Sequence, residues 1–141
     1  MKRLILMGRS ESGKSTLISV MRNGDLSYHK TQYVLFSDNI IDTPGEYAET
    51  KTLGGALAVY SYEADLIGIV ASATEHYTLF PPNIVGMATR PVIGIVTKCD
   101  HPEARVDMAT MWLEECGCKE IFVTSAYTGE GVENLLNYLK N

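Results

Sequence analysis

The chain has 141 residues, of which 45% are hydrophobic and 21% are charged, and its formal net charge is −5. This length fits one domain with a sizeable core, which we place at residues 1–141. The acidic balance argues against nucleic acid or an anionic membrane as a partner. The lack of long apolar runs argues against a secretory leader or a membrane span, so a cytoplasmic protein with reduced cysteines is expected.

The first predicted element is the uninterrupted apolar run Leu4–Met7, which is typical of a strand buried on both faces. It is followed at once by the segment GRSESGKS, residues 8–15, which fits the pattern G-x-x-x-x-G-K-[ST] at each fixed position. Glycines at this spacing let successive backbone N–H groups converge on phosphate oxygens at the N-terminus of a helix. The apolar spacing of Leu17, Ile18 and Met21 predicts that helix.

This segment predicts a nucleotide-binding phosphate loop, for which a glycine-containing strand–helix turn is the structural alternative. In such a loop Lys14 reaches the β- and γ-phosphates, and the hydroxyl of Ser15 is a ligand of Mg²⁺. The residues expected to contact the nucleotide here are Gly8, Arg9, Ser10, Glu11, Ser12, Gly13, Lys14, Ser15 and Thr16.

Two short strands are predicted next, at residues 31–36 and 39–42, with a turn at residues 37–38 between them. The second strand ends in Asp42, which is followed by Thr-Pro-Gly. A carboxylate at a strand end holds Mg²⁺ through water, and the backbone N–H of Gly45 meets the γ-phosphate. Asp-x-Pro-Gly is also common in ordinary turns, so the motif alone does not predict a metal site. Its position after the phosphate loop is what favours one.

The middle of the chain combines a helix, a strand and a long loop. Apolar residues between Leu53 and Tyr60 have helical spacing, and residues 66–70 form another apolar run typical of a buried strand. Residues 75–82 then form an aromatic, apolar loop that is longer than a crossover needs. This loop is either a partner-binding patch or a cover for the end of the core.

A second ligand-binding box follows the strand predicted at residues 92–96. It reads TKCD, residues 97–100, at the end of a strand, where open α/β sheets bind their ligands. In this pattern the carboxylate of Asp100 accepts both N–H groups on the edge of guanine, whereas adenine presents an acceptor in place of one of them. Lys98 lays its aliphatic stem along the base. The structural alternative for Asp100 is a turn or helix cap.

The last elements are a helix with an apolar stripe from Met108 to Cys116, the strand Ile121–Val123 and a helix with its stripe from Val132 to Leu139. The strand leads into Thr-Ser-Ala, whose backbone N–H groups are placed to meet the guanine O6. The full set of predicted base contacts is Thr97, Lys98, Asp100, Ser125 and Ala126. Alternating strands and helices predict an α/β domain with helices on both faces of a mostly parallel sheet.

The four motifs GRSESGKS, DTPG, TKCD and TSA, in this order, resemble those of a small Ras-like GTPase domain. More narrowly, the strings KTQYVLFSDNIIDTPGEY, EAD and RPVIGIVTKCD resemble the EutP/PduV family, and the resemblance covers essentially the whole chain. It implies a three-layer P-loop NTPase fold that binds GTP or GDP with Mg²⁺. It also implies a bacterial protein of ethanolamine or propanediol utilisation, with a microcompartment shell or pathway protein as its partner.

The resemblance assigns further roles around the metal. Thr31 is the best candidate for the threonine that closes over Mg²⁺ in the triphosphate state, ahead of Ser27, with an ordinary strand threonine as the alternative. Glu46 stands where many relatives of Ras carry a glutamine that positions the attacking water. A carboxylate beside the γ-phosphate is a poor positioner, so slow hydrolysis is expected unless Glu46 is only a solvated loop acid. Glu11 replaces an asparagine of potassium-stimulated relatives, which argues against activation by potassium.

Three functions remain open at this point. The leading one is a guanine-nucleotide switch with slow GTPase activity, in which the catalytic set is Lys14, Thr31 and Glu46 and the metal set is Ser15, Thr31 and Asp42. The second is a kinase that transfers a phosphoryl group from a nucleoside triphosphate such as ATP to acetate, because acetate kinase activity has been attributed to EutP relatives. The third is a scaffold that a nucleotide stabilises without chemistry.

Overall fold

The computed structural model describes residues 2–9, 12–23, 35–37, 40–43, 62, 64–78 and 80–140. The predictions for Ser10, Glu11, Ser27, Thr31, Gly45, Glu46 and the helix between Leu53 and Tyr60 lie outside these residues.

The described elements alternate between strand and helix, as predicted. The strands are β1 (Leu4–Met7), β2 (Leu35–Ser37), β3 (Ile40–Asp42), β4 (Leu66–Ser72), β5 (Val92–Thr97) and β6 (Ile121–Val123). The helices are α1 (Lys14–Asn23), α2 (Val106–Cys116) and α3 (Val132–Lys140), with a 3₁₀ turn at Ile84–Met87. Within the described part of the chain, no helix is both long and apolar enough to cross a membrane.

The six strands form one sheet in the order β2-β3-β1-β4-β5-β6. All neighbours are parallel except β2 and β3, which are antiparallel. This is the mostly parallel sheet expected from the sequence. The parallel register brings the carboxyl ends of β1, β4 and β5 to one edge of the sheet, since Met7 pairs with Ile69 and Ser72 pairs with Thr97.

The central strands are buried on both faces. Every residue of β1, β4 and β5 is buried, because helices cover the two sides of the sheet. Alternate residues of β1 point to opposite faces. Leu4 and Leu6 belong to the core cluster that contains residues of α1 and α3, whereas Ile5 and Met7 belong to the cluster that contains residues of α2. The domain is therefore a three-layer α/β structure.

Two local predictions about the strands were wrong. The strand Ile121–Val123 was expected to be buried on both faces, but its three residues are only half-buried, since β6 is the last strand of the sheet and pairs on one side alone. Ser37 was expected in a turn, but it is the last residue of β2 and pairs with Ile40. The backbone of a polar residue forms ladder hydrogen bonds as readily as that of an apolar one.

A glycine before α3 is required by its surroundings. Gly131 has a φ of +74°, and a Cβ built on it would overlap with the carbonyl oxygen of Val123. Gly129 has a φ of +82°, but a Cβ there would meet nothing within 4 Å. The two positions therefore share the backbone conformation and differ in the space around them.

Alanine substitutions at Gly129 and Gly131 give a matched test of the packing at the end of β6. Gly129→Ala is expected to cost about 1–2 kcal/mol of unfolding free energy, because it imposes only the left-handed conformation on a residue with a Cβ. Gly131→Ala is expected to cost at least about 3 kcal/mol, because the backbone must also move. Urea unfolding of both variants measures the difference. Equal costs would contradict the close approach of Gly131 to Val123.

Candidate nucleotide site

The predicted ligand-binding boxes meet at the carboxyl edge of the sheet. The phosphate loop connects β1 to α1, and the segments TKCD and TSA follow β5 and β6. A cavity of about 210 Å³ lies where they come together. Its lining residues are Gly13, Thr16, Leu17, Thr97, Lys98, Ala126 and Tyr127.

The glycines of the phosphate loop are required by close packing as well as by the motif. A Cβ on Gly8 would lie 2.9 Å from the carbonyl oxygen of Val70. Gly13 has a φ of +90°, and a Cβ there would lie 3.1 Å from Oγ1 of Thr97. Either side chain would push the loop away from the ends of β4 and β5.

Lys14 links the phosphate loop to the end of β3. Its side chain is buried, and its Nζ donates a hydrogen bond to the carbonyl oxygen of Thr43. Thr43 is itself buried, and its Oγ1 donates to the carbonyl oxygen of Leu6 at 2.7 Å. The positive charge of Lys14 is thus held beside the strand end that carries Asp42. Asp42 ends β3 in register with Leu6.

Ser15 and Thr16 lie in the first turn of α1, both half-buried. The carbonyl oxygen of Ser15 accepts a hydrogen bond from Oγ of Ser19 at 3.1 Å, which ties this turn to the next one. The helix therefore begins within the GKS part of the motif, as a phosphate loop requires.

The segment TKCD is fastened to the phosphate loop. Oγ1 of Thr97, which is buried, donates a hydrogen bond to the carbonyl oxygen of Ser12. Lys98 has a φ of +61°, the left-handed conformation that is uncommon for a residue with a side chain. Its Cε lies 3.5 Å from the position that a Cβ on Gly13 would occupy, so the stem of Lys98 passes over the loop.

Asp100 is oriented by a residue from the neighbouring strand end. Its Oδ1 accepts a hydrogen bond from Oγ of Ser125 at 2.6 Å, and Oγ of Ser125 accepts one from the backbone N–H of Thr128 at 3.1 Å. Ser125 is fully buried. Helix α2 begins only at Val106, so Asp100 does not cap it. The hydrogen bond to Ser125 instead connects TKCD with TSA.

The role of the Ser125 side chain and the place of Tyr127 were both missed by the sequence analysis. Ser125 was predicted to contribute only its backbone. Tyr127 lines the cavity together with Lys98 and is 72% exposed. Its position directly after Ser125-Ala126 was the available signal, because a residue next to a predicted base-binding segment would lie within reach of the base.

Of the two roles expected for the aromatic loop at residues 75–82, its described residues show the cover for the core, and the partner-binding patch stays a prediction. Phe80 is buried in the core cluster that includes α2 residues, so this part of the loop covers the core. Tyr77 is 57% exposed, and its ring lies beside the phosphate loop, 5.1 Å from the guanidinium carbon of Arg9.

The cysteines have raised pKa values. Burial raises the pKa of Cys116 to about 11 and that of Cys118 to about 12. Burial, with the nearby carboxylates of Glu130 and Asp100, also raises the pKa of Cys99. These thiols stay protonated near neutral pH, and the described residues include no group of three or more His, Cys, Asp or Glu that could hold a metal ion.

The whole chain matches the model of a protein family. The family, PduV-EutP, is described as ethanolamine utilisation – propanediol utilisation, and its model matches residues 1–141.

Individual proteins show the same relationship. The chain is 41% identical to the propanediol utilization protein PduV of Citrobacter freundii, over 99% of this chain and 93% of that protein. It is 32% identical to a protein of Salmonella typhimurium named probable acetate kinase EutP, over 99% of this chain and 89% of that one. A more distant similarity, 30% identity, joins 95% of this chain to 18% of the translation initiation factor IF-2 of Nitratiruptor sp.. The chain therefore belongs to the PduV-EutP family.

Proposed function

We propose that this protein binds a guanine nucleotide with Mg²⁺ and acts as a slow GTPase switch in ethanolamine or propanediol utilisation. The observation that carries the proposal is the hydrogen-bonded pair of Asp100 and Ser125, which stands close in the chain to residues that line a cavity together with Gly13 of the phosphate loop. The switch would act by binding a protein on the shell of a microcompartment or another protein of the pathway. The family's tie to both pathways and the similarity to IF-2 support this function.

The residues at the phosphate end of the site are of the kinds that would bind a triphosphate with Mg²⁺. Gly8 and Gly13 allow the loop to pack closely against the ends of β4 and β5, where a Cβ on either glycine would crowd Val70 or Thr97. The ammonium of Lys14 would neutralise the β- and γ-phosphates. The hydroxyls of Ser15 and Thr31 and the carboxylate of Asp42 are hard oxygen ligands of the kind that Mg²⁺ prefers, Asp42 through water. A bound Mg²⁺ would supply charge against the phosphate oxygens.

The base end would select guanine through Asp100. A carboxylate held by the hydroxyl of Ser125 keeps its orientation and presents acceptors to the N1–H and N2–H of guanine. Adenine would place its N1 lone pair against that negative charge and offer no donor to the carboxylate, so it would bind less well than guanine. Lys98 and Tyr127 would border the base, and the N–H groups of Ser125 and Ala126 would meet its O6.

Hydrolysis would be slow because no residue in the described part of the site is an obvious group to complete it. In-line attack needs a positioned water and positive charge against the developing anion. Lys14 contributes charge, but a carboxylate at Glu46 would repel the γ-phosphate rather than aim a water at it. Arg9, the arginine of the phosphate loop, lies over the ring of Tyr77. A partner protein would then supply the missing group.

The competing function is the transfer of phosphate to acetate. It is favoured by the name of the Salmonella typhimurium relative, which is a probable acetate kinase. P-loop kinases bring arginines over the transferred phosphoryl group. Among the described residues, Arg3, Arg90 and Arg105 are exposed and come from three separate segments of the chain. The guanine-type base box also argues against a kinase that uses ATP, and a scaffold without chemistry remains the third candidate.

The first prediction concerns the choice of base. Asp100→Asn is expected to weaken GTP binding by about 2–4 kcal/mol, because an amide donor replaces a charged acceptor and faces the donors of guanine. Xanthosine triphosphate carries a carbonyl at C2, so the variant should bind it at least as tightly as wild type does. That result would show that the variant still folds. Calorimetric titration of both nucleotides measures this. Unchanged affinity for GTP would overturn the assignment of Asp100.

The second prediction concerns the hydroxyl that orients Asp100. Ser125→Ala is expected to reduce GTP affinity by about 1–2 kcal/mol and to narrow the preference for GTP over ATP, since the carboxylate loses a hydrogen bond to a charged group. Thr128→Ala is the control, because it removes a hydroxyl from the same loop that bonds to the N–H of Glu130 and not to Asp100. An equal loss of GTP affinity in Ser125→Ala and Thr128→Ala would contradict the role of Ser125 in orienting Asp100.

The third prediction concerns the rate and product of the reaction. Isolated protein is expected to hydrolyse GTP at about 10⁻⁴ to 10⁻² s⁻¹, the range of GTPases that await a partner. Glu46→Gln should raise this rate modestly. Single-turnover assays with and without acetate measure the rate and separate phosphate from acetyl phosphate. Turnover at about 1–100 s⁻¹ with acetyl phosphate as product would contradict the slow switch and support the kinase function.

A further inference from the structure

An aromatic side chain from the segment after β4 lies against the phosphate loop. The guanidinium carbon of Arg9 is 5.1 Å from the centre of the Tyr77 ring, within the range of a cation–π interaction. Arg9 directly follows Gly8, the first glycine of the phosphate-loop motif. The contact therefore joins the loop to a segment that contains none of the sequence motifs.

The segment that carries Tyr77 is fixed on both sides of the ring. Before it, the backbone N–H of Ala73 donates to the carbonyl oxygen of Thr97 at 2.9 Å, and the carbonyl oxygen of Ala73 accepts from the N–H of Arg105 at 2.7 Å. After it, the side chain of Phe80 is buried in the core. Tyr77 is thus presented from the end of β5, the start of α2 and the core, and its position beside the loop is defined by all three.

The ring directs the side chain of Arg9 and is not needed to hold the backbone of the loop. The carbonyl oxygen of Arg9 accepts a hydrogen bond from the N–H of Ser12 at 3.2 Å. Gly8 packs so closely on the end of β4 that a Cβ would lie 2.9 Å from the carbonyl oxygen of Val70. Tyr77 is 57% exposed, and a cation–π contact on an exposed ring adds little to the stability of a fold.

The direction of this side chain matters for hydrolysis of a nucleotide in the loop. In that reaction water attacks the γ-phosphorus, and the bond from this phosphorus to the β–γ bridging oxygen breaks. GDP and inorganic phosphate are formed, and a proton of the water is released. Negative charge is spread over the bridging and γ-phosphate oxygens in the transition state, and an arginine that reaches them lowers the barrier. Arg9 starts from the loop that would surround these oxygens.

We propose that Arg9 is a catalytic arginine of the GTPase and that Tyr77 is a positioning residue that holds it away from the γ-phosphate. This inference rests on the proposed function and deepens it. The positive charge that hydrolysis needs would come from this chain, once the ring releases it, and not from a partner. A protein that displaces the exposed ring of Tyr77 would accelerate hydrolysis without contributing an arginine.

The strength of the contact limits its effect on the rate. If Arg9 must leave the ring before it can act, the contact slows hydrolysis by no more than the factor that corresponds to its own free energy. A cation–π contact between a half-buried arginine and an exposed ring is weak and corresponds to a factor of about ten. The slow wild-type reaction would still pass through the released arginine.

The test is single-turnover hydrolysis of GTP with Mg²⁺ by wild type, Tyr77→Leu, Arg9→Ala and the variant with both changes. Tyr77→Leu is expected to hydrolyse GTP about tenfold faster than wild type. Arg9→Ala is expected to be slower than wild type, since the arginine is lost from the transition state. In the Arg9→Ala background, Tyr77→Leu should have no effect, because no arginine remains to be released.

Three results would overturn the proposal. One is a Tyr77→Leu variant that hydrolyses GTP at the wild-type rate or more slowly. Another is an Arg9→Ala variant that is as fast as wild type or faster. The third is an equal acceleration by Tyr77→Leu with and without Arg9. Tyr77→Ala also removes the ring and should give the same acceleration as Tyr77→Leu.

Binding and matched variants separate the release of Arg9 from damage to the loop. GDP lacks the γ-phosphate, so calorimetric titration should give Tyr77→Leu the same dissociation constant for GDP as wild type. Weaker GDP binding with slower hydrolysis would show that the ring only supports the loop. Tyr77→Phe keeps a ring for Arg9 and should restore the slow rate. Tyr62→Leu makes the same change at an exposed tyrosine before the amino end of β4 and should leave the rate unchanged.

The failure of the proposed function and the failure of this inference give different results. Wild-type protein that binds no guanine nucleotide refutes the proposed function and the role of Arg9 with it. Wild-type protein that binds GTP and hydrolyses it slowly, with the same rate in Tyr77→Leu, refutes this inference alone.

Discussion

The hydrogen bond from the hydroxyl of Thr97 to the carbonyl of Ser12 is the contact on which the arrangement of the site depends. It joins the last residue of β5 to a loop residue 85 positions away in the chain, and it is buried, so water does not compete for it. The parallel register makes it possible, because β1 and β5 both pair with β4 and end at the same edge. The cavity at this edge, with Gly13 and Thr97 in its wall, is a consequence of that register.

Charged and polar groups are spread along this edge in a way that suits an elongated anionic ligand with a polar base. Lys14 is held at the end of β3, and Asp100 is held by Ser125 at the end of β6. In the proposed function each strand end contributes one part of the recognition, and the sheet keeps the parts at fixed separations.

The sequence predicted the features that depend on local pattern. Unbroken apolar runs predicted the central strands, and the spacing of Gly8, Gly13 and Lys14 predicted the tight turn between β1 and α1. Phosphate binding by that turn stays a prediction. Features that depend on contacts between distant segments were not predictable in this way. The hydrogen bond from Ser125 to Asp100 arises only when the strands have paired. The half-buried state of β6 likewise follows from its place at the sheet edge, and the assignments of Thr31 and Glu46 stay predictions.

The central claim is that this edge of the sheet recognises guanine. Calorimetric titration of the wild-type protein with GTP and ATP at saturating Mg²⁺ tests it most directly. The account predicts that GTP binds at least about a hundredfold more tightly than ATP, with one nucleotide per chain, because adenine leaves the carboxylate of Asp100 without donors. Equal affinities, or a preference for ATP, would contradict it.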